Sequence, residues 1–233
     1  MSIADVPFVV DHSTREKEPA VSCVYAGTAP VAVQSALLSE VLTPVLNRIH
    51  PDGNYFLSAG TGVCWRYTEP DPLAGYVWPG WFYVPNLPLL QDGRARHEYR
   101  FWEEAYRPWM VVDFLTCGDK DESQRALPAD SLAFRERALA SVVYVLWDAP
   151  CERLEVYEQW HHSYRLQPAD ANGRFAVPEM GMSLGIWSGT YRGYSTRWLR
   201  AWDNNGRLLP TPEERADKLA ARLRELGVDP DTV

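Results

Sequence analysis

The 233-residue sequence has no apolar run of about 18 residues, the length that reads as a membrane-spanning helix. The first residues carry charges at Asp5 and Asp11 and in the cluster at 15–18, and lack the basic start and apolar centre of a signal peptide. We therefore expect a cytoplasmic protein that does not associate with membranes.

Cysteine is scarce and scattered. The sequence has four cysteines with no C-x-x-C pair among them: Cys23, Cys64, Cys117 and Cys151. Zinc sites and disulfide frameworks usually show paired or regularly spaced cysteines. The pattern favours reduced thiols, which agrees with a cytoplasmic location.

Lysine is also scarce, because the 23 basic residues include only Lys17, Lys120 and Lys218, and the others are arginines. The formal net charge is −8. Proteins that coat nucleic acid nonspecifically usually carry a basic surplus, so this charge balance argues against that class but does not exclude a local basic cleft.

Hydrophobic residues make up 46% of the chain, with ten tryptophans and twelve tyrosines, which favours a compact, strand-rich fold with a substantial core. We predict a lead-in over 1–30, one domain over 31–203 and a helical tail over 204–233. A three-residue Gly-Thr-Gly segment at 60–62 is too short for a phosphate-binding loop, so no small-molecule cofactor is evident.

The order of apolar patterns predicts an α/β (α+β) fold. Apolar residues at three- and four-residue spacing predict a helix over 31–49, and helical composition predicts another over 132–140. Apolar runs predict strands over 76–84, 109–116 and 142–148 in one mixed sheet, with the first helix on one face and the second beside it. We expect C-terminal β-hairpins from 153 onward and a terminal helix that begins after Thr211 and ends before Gly227.

Asp113 is the residue that bears most directly on function, because it interrupts the apolar strand predicted over 109–116. An ionised carboxylate inside a strand costs several kcal/mol unless it is paired or binds a cation. Two interpretations stay open: Asp113 is a metal ligand, or it is a structural acid paired with an arginine such as Arg135.

From about residue 45 onward the chain resembles the Uma-type (Uma-two) family of bacterial restriction endonucleases, within the PD-(D/E)XK nuclease superfamily. The similarity rests on short segments in the strands and in the C-terminal tail, namely Pro79–Val84, Val111–Leu115, Tyr144–Asp148, Arg153–Tyr157, Val177–Gly181, Leu184–Trp187 and Leu219–Pro230. The resemblance implies a restriction-endonuclease-like mixed sheet flanked by helices, DNA as the substrate and Mg²⁺ as the cofactor.

The family pattern also implies two carboxylates and a lysine, which together hold the metal and activate a water. In this chain the first acid falls on Gly80, the second on Asp113 and the lysine at Ser131. Arg135 and Arg137 follow on the same helix, but arginine stays protonated and cannot act as a base. The resemblance therefore implies a degenerate endonuclease site, with Asp113 as its one remaining metal ligand.

Other acids offer alternatives for this site. Glu40 on the first helix either supports it or is an ordinary exposed residue, and the acids at 119, 121 and 122 either enter it or solvate a loop. We expect that adding Asp at position 80 and Lys at position 131 would restore hydrolysis.

The alternative function is a noncatalytic DNA-binding or protein-interaction module on the same fold. A homodimer is compatible with either function.

Overall fold

The structure is a computed structural model that describes residues 31–66, 75–101, 103–104, 106–115, 129–161 and 163–230, without the side chains of 129–131. The predicted lead-in over 1–30 and the acidic loop at 119–122 lie outside these residues. The helices are α1 (Val31–Ile49), α2 (Ala129–Leu139) and α3 (Pro212–Glu225). The strands are β1 (Tyr55–Ser58), β2 (Gly62–Cys64), β3 (Tyr76–Val77), β4 (Trp81–Pro85), β5 (Leu90–Gln91), β6 (Arg94–Ala95), β7 (Glu98–Arg100), β8 (Met110–Leu115), β9 (Val143–Asp148), β10 (Arg153–Trp160), β11 (Ser163–Leu166), β12 (Phe175–Val177), β13 (Met182–Tyr191) and β14 (Tyr194–Asp203).

The central sheet has six strands in the order β1-β4-β8-β9-β10-β11. Strands β8 and β9 are parallel and are joined through α2, whereas the other neighbours are antiparallel. The mixed sheet and the α+β class are therefore confirmed. The predicted strand over 76–84 is wrong in one respect: Pro79 and Gly80 interrupt it, and β3 pairs with β2 in a separate three-stranded sheet with β7.

Helix α1 has the predicted bounds and packs on one face of the central sheet. Its leucines share a core cluster with inward residues of β4, β8 and β9 and with β14 of the C-terminal sheet. Gln34 fixes this packing, because its side-chain amide exchanges two hydrogen bonds, of 2.9 and 3.1 Å, with the backbone of Leu199. The helix therefore lies between the central sheet and the β12-β13-β14 sheet.

Helix α2 packs on the opposite face, which corrects the prediction that it lies beside α1. Its buried Ala138 and Leu139 belong to a second core cluster with Phe82, Val111 and Tyr144. Because side chains alternate along a strand, β8 sends Met110 and Val112 toward α1, and Val111 and Asp113 toward α2. The face on which α2 lies therefore decides what surrounds Asp113.

The C-terminal region follows the prediction closely. Strands β10 and β11 form a hairpin, as do β13 and β14. Thr211 and Glu214 form a reciprocal capping box at the start of α3, as Pro212 at its first position suggested. Within the described ranges, none of the helices has both the length and the apolar character needed to cross a membrane.

Candidate functional site

Asp113 lies in the middle of β8, flanked in the sheet by β4 and β9, and is only 6% exposed. Two side chains from two elements contact its carboxylate. Arg135 of α2 places Nε 3.1 Å from Oδ2, and the Tyr144 hydroxyl donates to the same oxygen at 2.8 Å. The backbone amide of Gly80 also acts on this carboxyl, in the direction that lowers its pKa. Asp113 is thus a paired acid, as one of the two sequence-based interpretations proposed.

Burial raises the pKa of Asp113, although Arg135, the Tyr144 hydroxyl and the Gly80 N–H each act to lower it. The pKa of Tyr144 is raised well above its ordinary value, first by burial and then by the charge of Asp113. The phenol therefore stays protonated and available as a hydrogen-bond donor to the carboxylate.

Gly80 lies directly beside Asp113. The β4–β8 register pairs Trp81 with Val112, so continuing it by one residue places Gly80 opposite Asp113. A Cβ atom on Gly80 would lie 2.1 Å from Cδ2 of Phe114, which is far closer than any real contact. The position at which the resemblance implies the first acid therefore lies opposite Asp113 but has no room for a side chain.

The other predicted site residues are not brought to Asp113 by contacts in the described part of the chain. Arg137 is exposed in the last turn of α2. Ser131 is in the first turn of that helix, but its side chain lies outside the described residues. Glu40 is on α1, across the sheet, and accepts a hydrogen bond of 2.7 Å from Arg192. Of the predicted set, the structure joins Gly80, Asp113 and Arg135.

Two further acids lie on the Asp113 face of the sheet. Asp148, at the end of β9, is 2% exposed, and its Oδ2 has no hydrogen-bond partner among the described residues, with Arg153 Nη2 at 3.9 Å. Glu155 lies opposite Leu146 on β10 and accepts a hydrogen bond of 2.9 Å from Tyr157. Neither acid contacts Asp113. Asp148 instead bonds within the β9–β10 turn, where its Oδ1 accepts a hydrogen bond from the Cys151 N–H.

These donors do not fit magnesium. Mg²⁺ takes one or two carboxylates together with waters in near-ideal octahedral geometry. Asp113 is a single buried carboxylate that already faces a guanidinium, and Gly80 supplies no ligand atom. Across the described ranges, no three His, Cys, Asp or Glu residues are grouped so that they could hold a metal ion.

Sequence inspection did not identify Tyr144 as a partner of Asp113. The β8–β9 register pairs Val111 with Tyr144 and Asp113 with Leu146, so Tyr144 and Asp113 lie on the same face of neighbouring parallel strands. The alternation of side chains along β8 and β9 could have indicated that Tyr144 and Asp113 share a face, if the two strands had been assumed to be parallel. The choice of register carries no comparable sequence signal.

No protein-family model and no curated protein matches this sequence. Among solved structures, the chain is similar to a "putative nuclease belonging to DUF820" from Anabaena variabilis. The identity is 13% and the TM-score 0.42, with 66% of this chain and 76% of that chain covered. A similarity of this size does not establish a shared activity, so function has to be inferred from the residues around Asp113.

Proposed function

We propose that this protein is a nuclease-like protein that does not hydrolyse DNA and acts as a noncatalytic module. The observation that supports this proposal is the contact of Arg135 Nε with Asp113 Oδ2 at 3.1 Å. The Arg135 guanidinium occupies the side of the Asp113 carboxylate that a metal ion and its waters would need. The absence of an acid at Gly80 and the pairing of Asp113 with Arg135 both weaken metal binding.

A metal ion could bind Asp113 only if it displaced Arg135. That exchange would separate a partly buried ion pair and would leave the Mg²⁺ with one protein carboxylate. Because magnesium gives up its waters reluctantly, one carboxylate offers little compensation. The proposal therefore includes the absence of a bound magnesium at physiological concentrations.

DNA enters this proposal from the resemblance, and a cytoplasmic location enters it from the four scattered cysteines. The electrostatics support at most weak DNA binding, because at least eight arginines already form ion pairs with acids of the same chain: Arg96, Arg100, Arg135, Arg153, Arg192, Arg197, Arg200 and Arg222. Arginines that already pair with acids are less free to neutralise phosphates, so protein binding would release few counterions from the DNA. Any DNA affinity should therefore be low and should depend only weakly on salt.

The test is a nicking assay on supercoiled plasmid with Mg²⁺ or Mn²⁺, using the parent protein and Asp113→Asn. We expect no nicking by either protein above a no-protein control. Asparagine keeps the size of the side chain and removes the charge, so it is a suitable control for contaminating nuclease. Metal-dependent nicking by the parent that disappears in Asp113→Asn would overturn the proposal.

A further inference from the structure

Helix α2 carries Arg135 but has little apolar surface to hold it in place. The helix has 11 residues, and of its described side chains only Ala138 and Leu139 are buried. Isolated helices shorter than about 12–15 residues are marginal in water and depend on tertiary packing. The position of Arg135 beside Asp113 therefore depends on other contacts that fix the helix to the sheet.

Glu136 supplies one such contact, at the far edge of the central sheet. Its Oε2 accepts a hydrogen bond of 2.6 Å from the backbone N–H of Tyr164 on the edge strand β11. A hydrogen bond to an ionised acceptor is roughly twice as strong as one between neutral groups. Because Glu136 follows Arg135 directly, one turn of α2 is attached both to Asp113 on β8 and to β11.

The end of α2 is fixed to the same tyrosine. Ala140, which follows the helix, has a φ of 45°, a left-handed conformation that is unfavourable for a residue with a Cβ atom. The next residue, Ser141, is fully buried. Its N–H donates to the Tyr164 hydroxyl at 3.2 Å, and its own hydroxyl lies 2.7 Å from the same oxygen. These bonds hold the chain in the strained turn where the helix ends.

Tyr164 also supports the second partner of Asp113. Its ring is stacked on the ring of Tyr144, with centroids 5.2 Å apart and planes at 11°. The Tyr144 hydroxyl in turn donates to Asp113 Oδ2 at 2.8 Å. Strand β11 thus contacts both the helix that carries Arg135 and the phenol that donates to the carboxylate.

We propose that Glu136 is a positioning residue that holds Arg135 against Asp113 by tying α2 to Tyr164. The inference rests on the proposed function, in which the Arg135–Asp113 pair excludes a metal ion. It adds that this pair is controlled from the β10–β11 hairpin. Separating Glu136 from the hairpin would free α2 to shift and would leave the buried Asp113 without its cation.

The charge of Glu136 and its contact with β11 predict opposite changes in the pKa of Asp113. If Glu136 acted through its charge alone, removing it would take away a negative charge and would lower that pKa. If it positions Arg135, removing it loosens the guanidinium and raises the pKa of Asp113. The remaining titratable groups that interact with Asp113 are the phenols of Tyr144 and Tyr164, which carry no charge near neutral pH.

The test follows the Asp113 carboxyl by carbon-13 NMR through a pH titration of the full chain, with the signal assigned from its absence in Asp113→Asn. We expect Glu136→Ala to raise the pKa of Asp113 by about half as much as Arg135→Ala does, or more. Glu136→Gln keeps an oxygen that can accept from the β11 N–H, so it should stay near the parent. Glu158→Ala is the matched control, because Glu158 is an exposed acid of the same hairpin, and it should leave this pKa unchanged.

A double-variant cycle separates positioning from a general loss of stability. In an Arg135→Ala background, Glu136→Ala should cause no further rise in the pKa of Asp113, because the group that it positions is gone. A merely structural role would lower the free energy of unfolding without moving this pKa. The inference would be overturned by an unchanged or lowered pKa in Glu136→Ala, by an equal rise in Glu136→Gln, or by a rise that adds to that of Arg135→Ala.

The same NMR signal tests the proposed function separately. A shift of the Asp113 carboxyl in the parent on addition of millimolar Mg²⁺ would contradict the proposed function. The titrations of the Glu136 variants are made without metal, so their outcome decides the positioning role by itself.

Discussion

Replacing Arg135 with alanine is expected to lower the free energy of unfolding by about 2–3 kcal/mol at neutral pH. The change leaves Asp113, which is 6% exposed, without its charged partner, while the Tyr144 hydroxyl remains as a neutral donor. The figure is below that of a fully buried pair because the Arg135 side chain is 24% exposed and solvent partly screens it. Urea unfolding of the parent and the variant measures the difference.

The loss should depend on pH with a definite sign. The folded-state pKa of Asp113 is already above its ordinary value, so ionisation of this group lowers the free energy of unfolding. The loss of stability grows as the pH rises from the ordinary pKa through the folded-state pKa. Removing Arg135 raises the pKa further. The variant should therefore be most destabilised at neutral pH and approach the parent near about pH 4, because the pKa of Asp113 is raised in the fold and its carboxyl is then mostly protonated in both folded proteins.

Arg137→Ala is the matched control, because Arg137 is on the same helix but exposed. It should change the stability by less than about 0.5 kcal/mol. Adding Asp113→Asn to Arg135→Ala should recover part of the loss by removing the unpaired charge. A loss in Arg135→Ala that is no larger than in Arg137→Ala, at every pH, would mean that the ion pair contributes nothing.

The second large effect is expected for Gly80→Asp, which should cost about 3 kcal/mol or more. Overpacking a core usually costs about 1–3 kcal/mol, and here the new Cβ would lie 2.1 Å from Phe114 with a carboxylate beyond it. Thermal unfolding compares the variant with the parent.

The same substitution in a Phe114→Ala background separates the steric part from the electrostatic part. With the ring removed, Gly80→Asp should cost clearly less than it does in the parent. An equal cost in both backgrounds would show that Phe114 is not the obstacle. This clash also changes the expectation from the family pattern: adding Asp at 80 and Lys at 131 without altering Phe114 should not restore hydrolysis.

The elements predicted best were those whose local pattern agrees with their packing. Helix α1 has the predicted bounds because its apolar spacing matches the face it buries, and α3 does because its caps are explicit in Thr211, Pro212 and Gly227. The strand over 76–84 was predicted too long because apolar character continues through Pro79 and Gly80, although proline supplies no N–H for a ladder.

The face on which α2 packs could not be read from its composition, which is polar with few apolar positions. That face is set by the parallel pairing of β8 with β9 and their connection through the helix. Long-range contacts such as Gln34 with Leu199 have no local signal either. For the site, the sequence indicated Asp113 and a candidate partner in Arg135, whereas the crowding of Gly80 by Phe114 depends on packing alone.

The central claim is that Asp113 is held by Arg135 and does not bind a metal ion. The most direct test is the melting temperature of the parent protein with and without millimolar Mg²⁺, measured beside Asp113→Asn. A ligand that binds the folded state raises its stability, so a working site would shift the parent upward. We predict no shift in either protein. A rise in the parent that is absent in Asp113→Asn would contradict the account and identify Asp113 as a metal ligand.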